Sequence, residues 1–102
     1  MRALVPVANG VEDIETVTII DVLRRAQFEV TVACIEHDLT VTMAKGCKLT
    51  ADTAFNDIKK ESFDLIAVPG GSAGAAALAK NKALIEMLKN NRANPKWYAP
   101  IC

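Results

Sequence analysis

The chain has 102 residues, 51% hydrophobic and 24% charged, and its 12 basic and 12 acidic residues cancel to a formal net charge of zero. That is the composition of one soluble globular domain with a modest core; no apolar stretch approaches the roughly 18 residues of a membrane span. No basic cluster exceeds Arg24-Arg25, so neither a membrane nor nucleic acid is expected as a partner.

The opening run, Arg2 to Val7, is continuously apolar after its first residue and ends at the turn pair Asn9-Gly10. Such a run suits a central parallel strand buried on both faces. Pro6 and Asn9-Gly10 interrupt it before a signal-peptide core could form, so no targeting segment is expected. From Glu12 the period changes, with Ile14, Val17, Ile20 and Leu23 at helical spacing. Glu12, Asp13 and Glu15 at one end and Arg24-Arg25 at the other complement the helix dipole.

Phe28 to Ile35 reads as a second strand, and strand-helix-strand over this length implies a right-handed parallel crossover. Leu39 to Met43 and Cys47 to Thr50 form a predicted hairpin, with Gly46 at its turn. Asp52-Thr53 is placed to cap a short helix over Phe55 to Ile58. Leu65 to Val68 is another buried strand, stopped by Pro69-Gly70-Gly71. Ser72 opens a helix of small residues from about Ala73 to Ala79, and Lys82 to Asn90 an amphipathic one. A polar loop, Asn91 to Lys96, leads to a last strand from Trp97. Strands alternating with helices specify an α/β sandwich whose ligands gather outside the carboxyl ends of the strands.

The chemistry-bearing residues cluster at that edge. Cys102, at the end of the last strand, is either a small buried hydrophobe or a nucleophile whose thiolate is stabilised by amides, a helix dipole or a hydrogen-bond donor. Glu15, in the first helical turn, is either an exposed capping acid or a carboxyl turned into the crevice, protonated and able to donate to a thiolate. Gly70 and Gly71 form either a plain turn or a pair of amides facing an oxyanion. Cys34 reads as core, Cys47 as a hairpin thiol and His37 as a surface turn residue. The three cysteines lack zinc or dithiol spacing and His37 cannot complete a metal site with them. Free thiols in a reducing, cytoplasmic setting are expected, with no metal and no cofactor.

Arg2-Ala3-Leu4-Val5, Glu12-x-x-Glu15-Thr16-Val17, Asp21-Val22-Leu23-Arg24-Arg25-Ala26, Val30-Thr31-Val32-Ala33, Asp64 to Gly71 and Ala99-Pro100-Ile101-Cys102 together resemble the ThiJ/PfpI superfamily, nearest the subgroup of the Parkinson-associated protein deglycase and its bacterial relatives. The resemblance spans the whole chain in order. It implies a flavodoxin-like three-layer sandwich with a mainly parallel sheet, usually a homodimer. It also implies Cys102 as the nucleophile-elbow cysteine, Glu15 as its protonated partner and Gly71, beside Gly70, as the oxyanion amide. The expected function is a cofactor-free glyoxalase or protein deglycase acting on methylglyoxal or its early adducts. The alternatives are a redox-sensing chaperone in which the same cysteine is oxidised to sulfinic acid, and a cysteine peptidase or amidase. Pro100 stands where the family commonly has a small residue, which is expected to alter the strand beside the nucleophile. The family domain continues for nearly as many residues again. Residues 1–102 are therefore expected to be the N-terminal half of one domain, incomplete as a sandwich, with the C-terminal remainder as a second chain.

Overall fold

The computed structural model describes residues 1–93 and 97–100. Its main sheet contains β1 (Arg2–Val7), β2 (Glu29–Cys34), β5 (Thr53–Ala54), β6 (Leu65–Val68) and β7 (Trp97–Pro100), in the order β5-β2-β1-β6-β7. All four pairings are parallel. β3 (Thr40–Thr42) and β4 (Lys48–Thr50) form a separate antiparallel hairpin. The helices are α1 (Asp13–Arg25), α2 (Phe55–Ile58), α3 (Ser72–Ala79) and α4 (Lys82–Ala93).

β1 is central, and Ala3 to Val7 are all buried. Successive side chains point to opposite faces, so the sheet is covered on both sides at β1, as the unbroken apolar run requires. The core continues through Ile66, Phe55, Phe63, Leu78 and Leu84. At the far edge Arg2 ties β1 to the segment before β6. Its N–H donates to Asp64 Oδ2 at 2.8 Å, its carbonyl accepts the Asp64 N–H at 2.8 Å, and its guanidinium pairs with Glu61 and lies over the Phe63 ring. The ion pair itself is exposed and contributes at most about 1 kcal/mol; the two hydrogen bonds of the Arg2 main chain to Asp64 fix the register.

Four expectations are corrected. The Ile14–Val17 part of the α1 apolar stripe faces outward, Ile14 being 75% exposed and Val17 50%; the buried face is Asp13, Thr16 and Ile20. Two of those three are polar, and each is satisfied: Asp13 by amides of the hairpin, and Thr16 through its hydroxyl, which donates to the Glu12 carbonyl at 2.7 Å. Asp52 and Thr53 do not cap α2, whose N-cap is Ala54; Asp52 accepts the Val32 N–H instead, and Thr53–Ala54 is an edge strand. Gly71, not Ser72, is the N-cap of α3. α4 runs to Ala93, through residues expected to be loop, and Asn81 caps it by accepting the Leu84 N–H. Pro100 keeps register opposite Val68.

Candidate active site

Strand order reverses at β1: the chain moves outward through β2 to β5, then crosses to β6 and β7. In an open α/β sheet, ligands bind in the crevice outside the carboxyl ends of the strands at such a reversal. The turns after β1 and β6 meet there. β7 runs parallel to β6 and ends level with it, Pro100 opposite Val68, so its carboxyl end shares the same edge.

α1 starts at an N-cap Glu12 in extended conformation, whose carboxylate Oε2 accepts the Glu15 N–H at 2.9 Å. Glu15 is half-buried and reaches across the crevice, its Oε1 accepting the Gly70 N–H at 3.0 Å. The Gly70 carbonyl in turn accepts the Glu12 N–H at 2.9 Å. The first turn of α1 therefore grips both polar groups of Gly70.

Gly71 follows at φ +100°, where a Cβ would lie 2.5 Å from the Gly10 carbonyl oxygen and 2.7 Å from the Glu12 nitrogen. Gly74 is needed for space alone: a Cβ there would meet the Val11 backbone at 2.5 Å. The start of α3 is thus pressed against the β1–α1 loop. Of the expected site residues, Glu15 and Gly70 are in direct contact and Gly71 adjoins them; Cys102 lies outside the described residues.

Glu12 and Asp13 are parts of this arrangement that sequence reasoning assigned only to the helix dipole. The Asp13 carboxylate is buried and accepts the Lys45 N–H at 2.7 Å and the Cys47 N–H at 3.0 Å, fastening the hairpin turn to α1. Asn9 adds a second tie, accepting the Thr42 N–H at 2.9 Å. The only advance signal was the Glu12-x-x-Glu15 spacing, which has the form of a capping box. Nothing local marks Asp13, whose partners lie 32 and 34 residues away.

Burial alone would raise the Asp13 carboxyl, but the Lys45 and Cys47 amides outweigh it and hold it below its ordinary value. The stability this clamp contributes is present above the unfolded carboxyl value of about 3.9 and is lost as pH falls through the lower native value. The Cys47 thiol is raised, first by its hydrogen bond to Asp13 and then by that residue's charge. Cys34 is raised by burial, its sulfur donating to the Asp38 carbonyl at 3.1 Å. Iodoacetamide at neutral pH should therefore label Cys47 slowly and Cys34 only on unfolding, and Asp13→Asn should accelerate labelling at Cys47. Site-resolved mass spectrometry checks this; first labelling of Cys34, or a Cys47 rate indifferent to Asp13→Asn, contradicts it.

Among the described residues no group of three or more His, Cys, Asp or Glu could hold a metal ion, and no helix is long and apolar enough to cross a membrane.

Comparison with known proteins agrees with this architecture. Protein DJ-1 homolog B of Arabidopsis thaliana is 44% identical over 101 residues, covering 99% of this chain and 23% of that protein. The Caenorhabditis elegans glutathione-independent glyoxalase DJR-1.2 is 34% identical over 91 residues, covering 89% of this chain and 48% of that one. The solved structure of Toxoplasma gondii DJ-1 in oxidised form superposes with a TM-score of 0.96 at 44% identity, covering 99% of this chain and 55% of that one. The chain thus spans about a quarter of the plant relative and about half of the other two. The fold is the flavodoxin-like α/β sandwich of these neighbours. The model of the DJ-1/PfpI family matches residues 1–102, and the chain belongs to that family.

Proposed function

We propose that residues 1–102 form the N-terminal half of a single domain and that the complete protein is a cysteine-dependent, cofactor-independent glyoxalase or protein deglycase. The observation that carries this reading is the Glu15–Gly70 contact at the strand-order reversal. It supports the reading by holding a carboxyl group beside a glycine turn at the edge where β7 ends. The nematode relative named as a glyoxalase supports the substrate class.

In this reading the Cys102 thiolate adds to the aldehyde carbon of methylglyoxal. A C–S bond forms, and the carbonyl π pair moves to oxygen, which the Gly71 amide stabilises. Gly70 serves differently: its N–H is engaged by Glu15 and holds that carboxyl in place. Glu15 gives its proton to the oxyanion and takes the proton leaving the former aldehyde carbon. Glu15 returns that proton to the neighbouring ketone carbon and the hydroxyl proton passes to the ketone oxygen, so the former aldehyde carbon is oxidised to a thioester as the ketone is reduced to an alcohol. Water then cleaves the thioester, releasing lactate and the thiol. The test is lactate formation from methylglyoxal without glutathione, followed by proton NMR. The complete protein should produce it and Cys102→Ser should not.

A second reading is a redox sensor with chaperone activity, favoured by the oxidised form of the Toxoplasma gondii relative. Peroxide would then alter client holding while dicarbonyl turnover stayed negligible.

The outward face of α1 supports a homodimer of complete domains. Ile14 and Val17, with Met43 and Cys47, line a shallow apolar depression. Ile14→Arg is expected to convert the dimer to a folded monomer in sedimentation experiments; an unchanged dimer contradicts this assignment.

A further inference from the structure

We infer that Glu12 is a positioning residue for the acid–base chemistry, beyond its part in starting α1. Three hydrogen bonds among three residues close a ring. The Glu12 N–H donates to the Gly70 carbonyl at 2.9 Å, the Gly70 N–H donates to Glu15 Oε1 at 3.0 Å, and the Glu15 N–H donates to Glu12 Oε2 at 2.9 Å. Each residue is held by the other two.

An ordinary N-cap would satisfy a helix amide with Ser, Thr, Asp or Asn. Here the cap is a glutamate, and the amide it accepts belongs to the residue whose side chain crosses the crevice. The cap therefore fixes the Glu15 backbone while Gly70 fixes its carboxyl. Two ends pinned leave the intervening side chain little rotamer freedom.

The ring also determines which oxygen handles the proton. Oε1 is engaged by the Gly70 N–H, which leaves Oε2 as the oxygen open to the reacting group. Oε2 is then the atom that donates to, and recovers a proton from, the reacting group. This inference rests on the assignment of Glu15 as the acid–base group.

Glu12→Gly and Glu12→Gln in the complete protein test it. Glycine is a tolerated N-cap that costs α1 little but removes the acceptor; glutamine keeps an acceptor oxygen. Glu12→Gly is expected to lower kcat for methylglyoxal about 10- to 100-fold with KM nearly unchanged, the scale of a misplaced catalytic group. It should also speed hydrogen exchange at the Gly70 amide about tenfold or more. Glu12→Gln should restore both. Asn81→Ala, which removes the corresponding cap of α4, should change neither. A Glu12→Gly enzyme with wild-type kcat and wild-type Gly70 exchange overturns the inference, as does equal loss in Glu12→Gln. If Gly70 exchange accelerates in Glu12→Gly while Glu15→Gln turns over normally, the ring stands and the assignment of Glu15 fails.

Discussion

Glu15→Gln in the complete protein is expected to lower kcat for methylglyoxal by about 10²- to 10⁴-fold, the contribution of a positioned general acid–base group, without loss of fold. Glutamine retains a carbonyl oxygen at the position of Oε1, so it can still accept the Gly70 N–H that Glu15 accepts at 3.0 Å. It cannot carry the proton of a carboxyl group. The substitution separates proton transfer from placement, which Glu15→Ala would confuse. Steady-state kinetics with thermal unfolding alongside is the measurement. A variant within about threefold of wild type would mean that no proton passes through Glu15, since even a modest acid–base role is larger than that.

The second large effect is on stability. Gly71→Ala is expected to destabilise the complete protein by about 3 kcal/mol or more. A non-glycine residue held at φ +100° costs about 1–3 kcal/mol, and overpacking typically adds about 1–3 kcal/mol. The atoms that a Cβ meets are the Gly10 carbonyl oxygen and the Glu12 nitrogen, backbone that cannot rotate away. Gly46 supplies the internal control. It has a similar φ of +97°, but nothing lies within 4 Å of a Cβ there, so Gly46→Ala should show only the conformational cost. Denaturant midpoints for the two variants give the comparison. Equal losses would mean that the contact between the β6–α3 turn and the β1–α1 loop carries no energetic weight. Because Glu12 N also holds the Gly70 carbonyl, the movement that relieves Gly71→Ala should disturb the Glu15–Gly70 contact as well.

What was readable in advance follows the range of each interaction. β1 and β6 are legible because strands buried on both faces need continuous apolar runs, and Leu4 to Val7 or Leu65 to Val68 satisfy no other pattern as well. The hairpin was legible through Gly46, whose positive φ suits its turn. The meeting of Glu15 and Gly70 at one sheet edge was expected from the α/β pattern, whereas their hydrogen bond joins residues 55 apart and only the strand order creates it.

The misreadings have a common physical origin. Ile14 and Val17 repeat at helical spacing, and periodicity reports an apolar face without saying what covers it. Asp13 and Thr16 were invisible as inward residues because a polar group enters a core only when distant partners satisfy it. Those partners, the Lys45 and Cys47 amides, belong to a segment whose position depends on the whole fold. Asp52 shows the same thing in reverse. As an isolated residue it is a good cap, but the Val32 amide of the neighbouring strand claims its carboxylate at 2.9 Å.

The central claim is covalent catalysis at the edge formed by Glu15, Gly70 and Gly71. Its most direct test is the intact mass of the complete protein, acid-quenched during turnover of methylglyoxal and digested to locate any modification. The account predicts one methylglyoxal-derived group on Cys102, absent from Cys102→Ser and accumulating when Glu15→Gln slows the proton transfers. Lactate production with Cys102 unmodified throughout, or undiminished in Cys102→Ser, would contradict it.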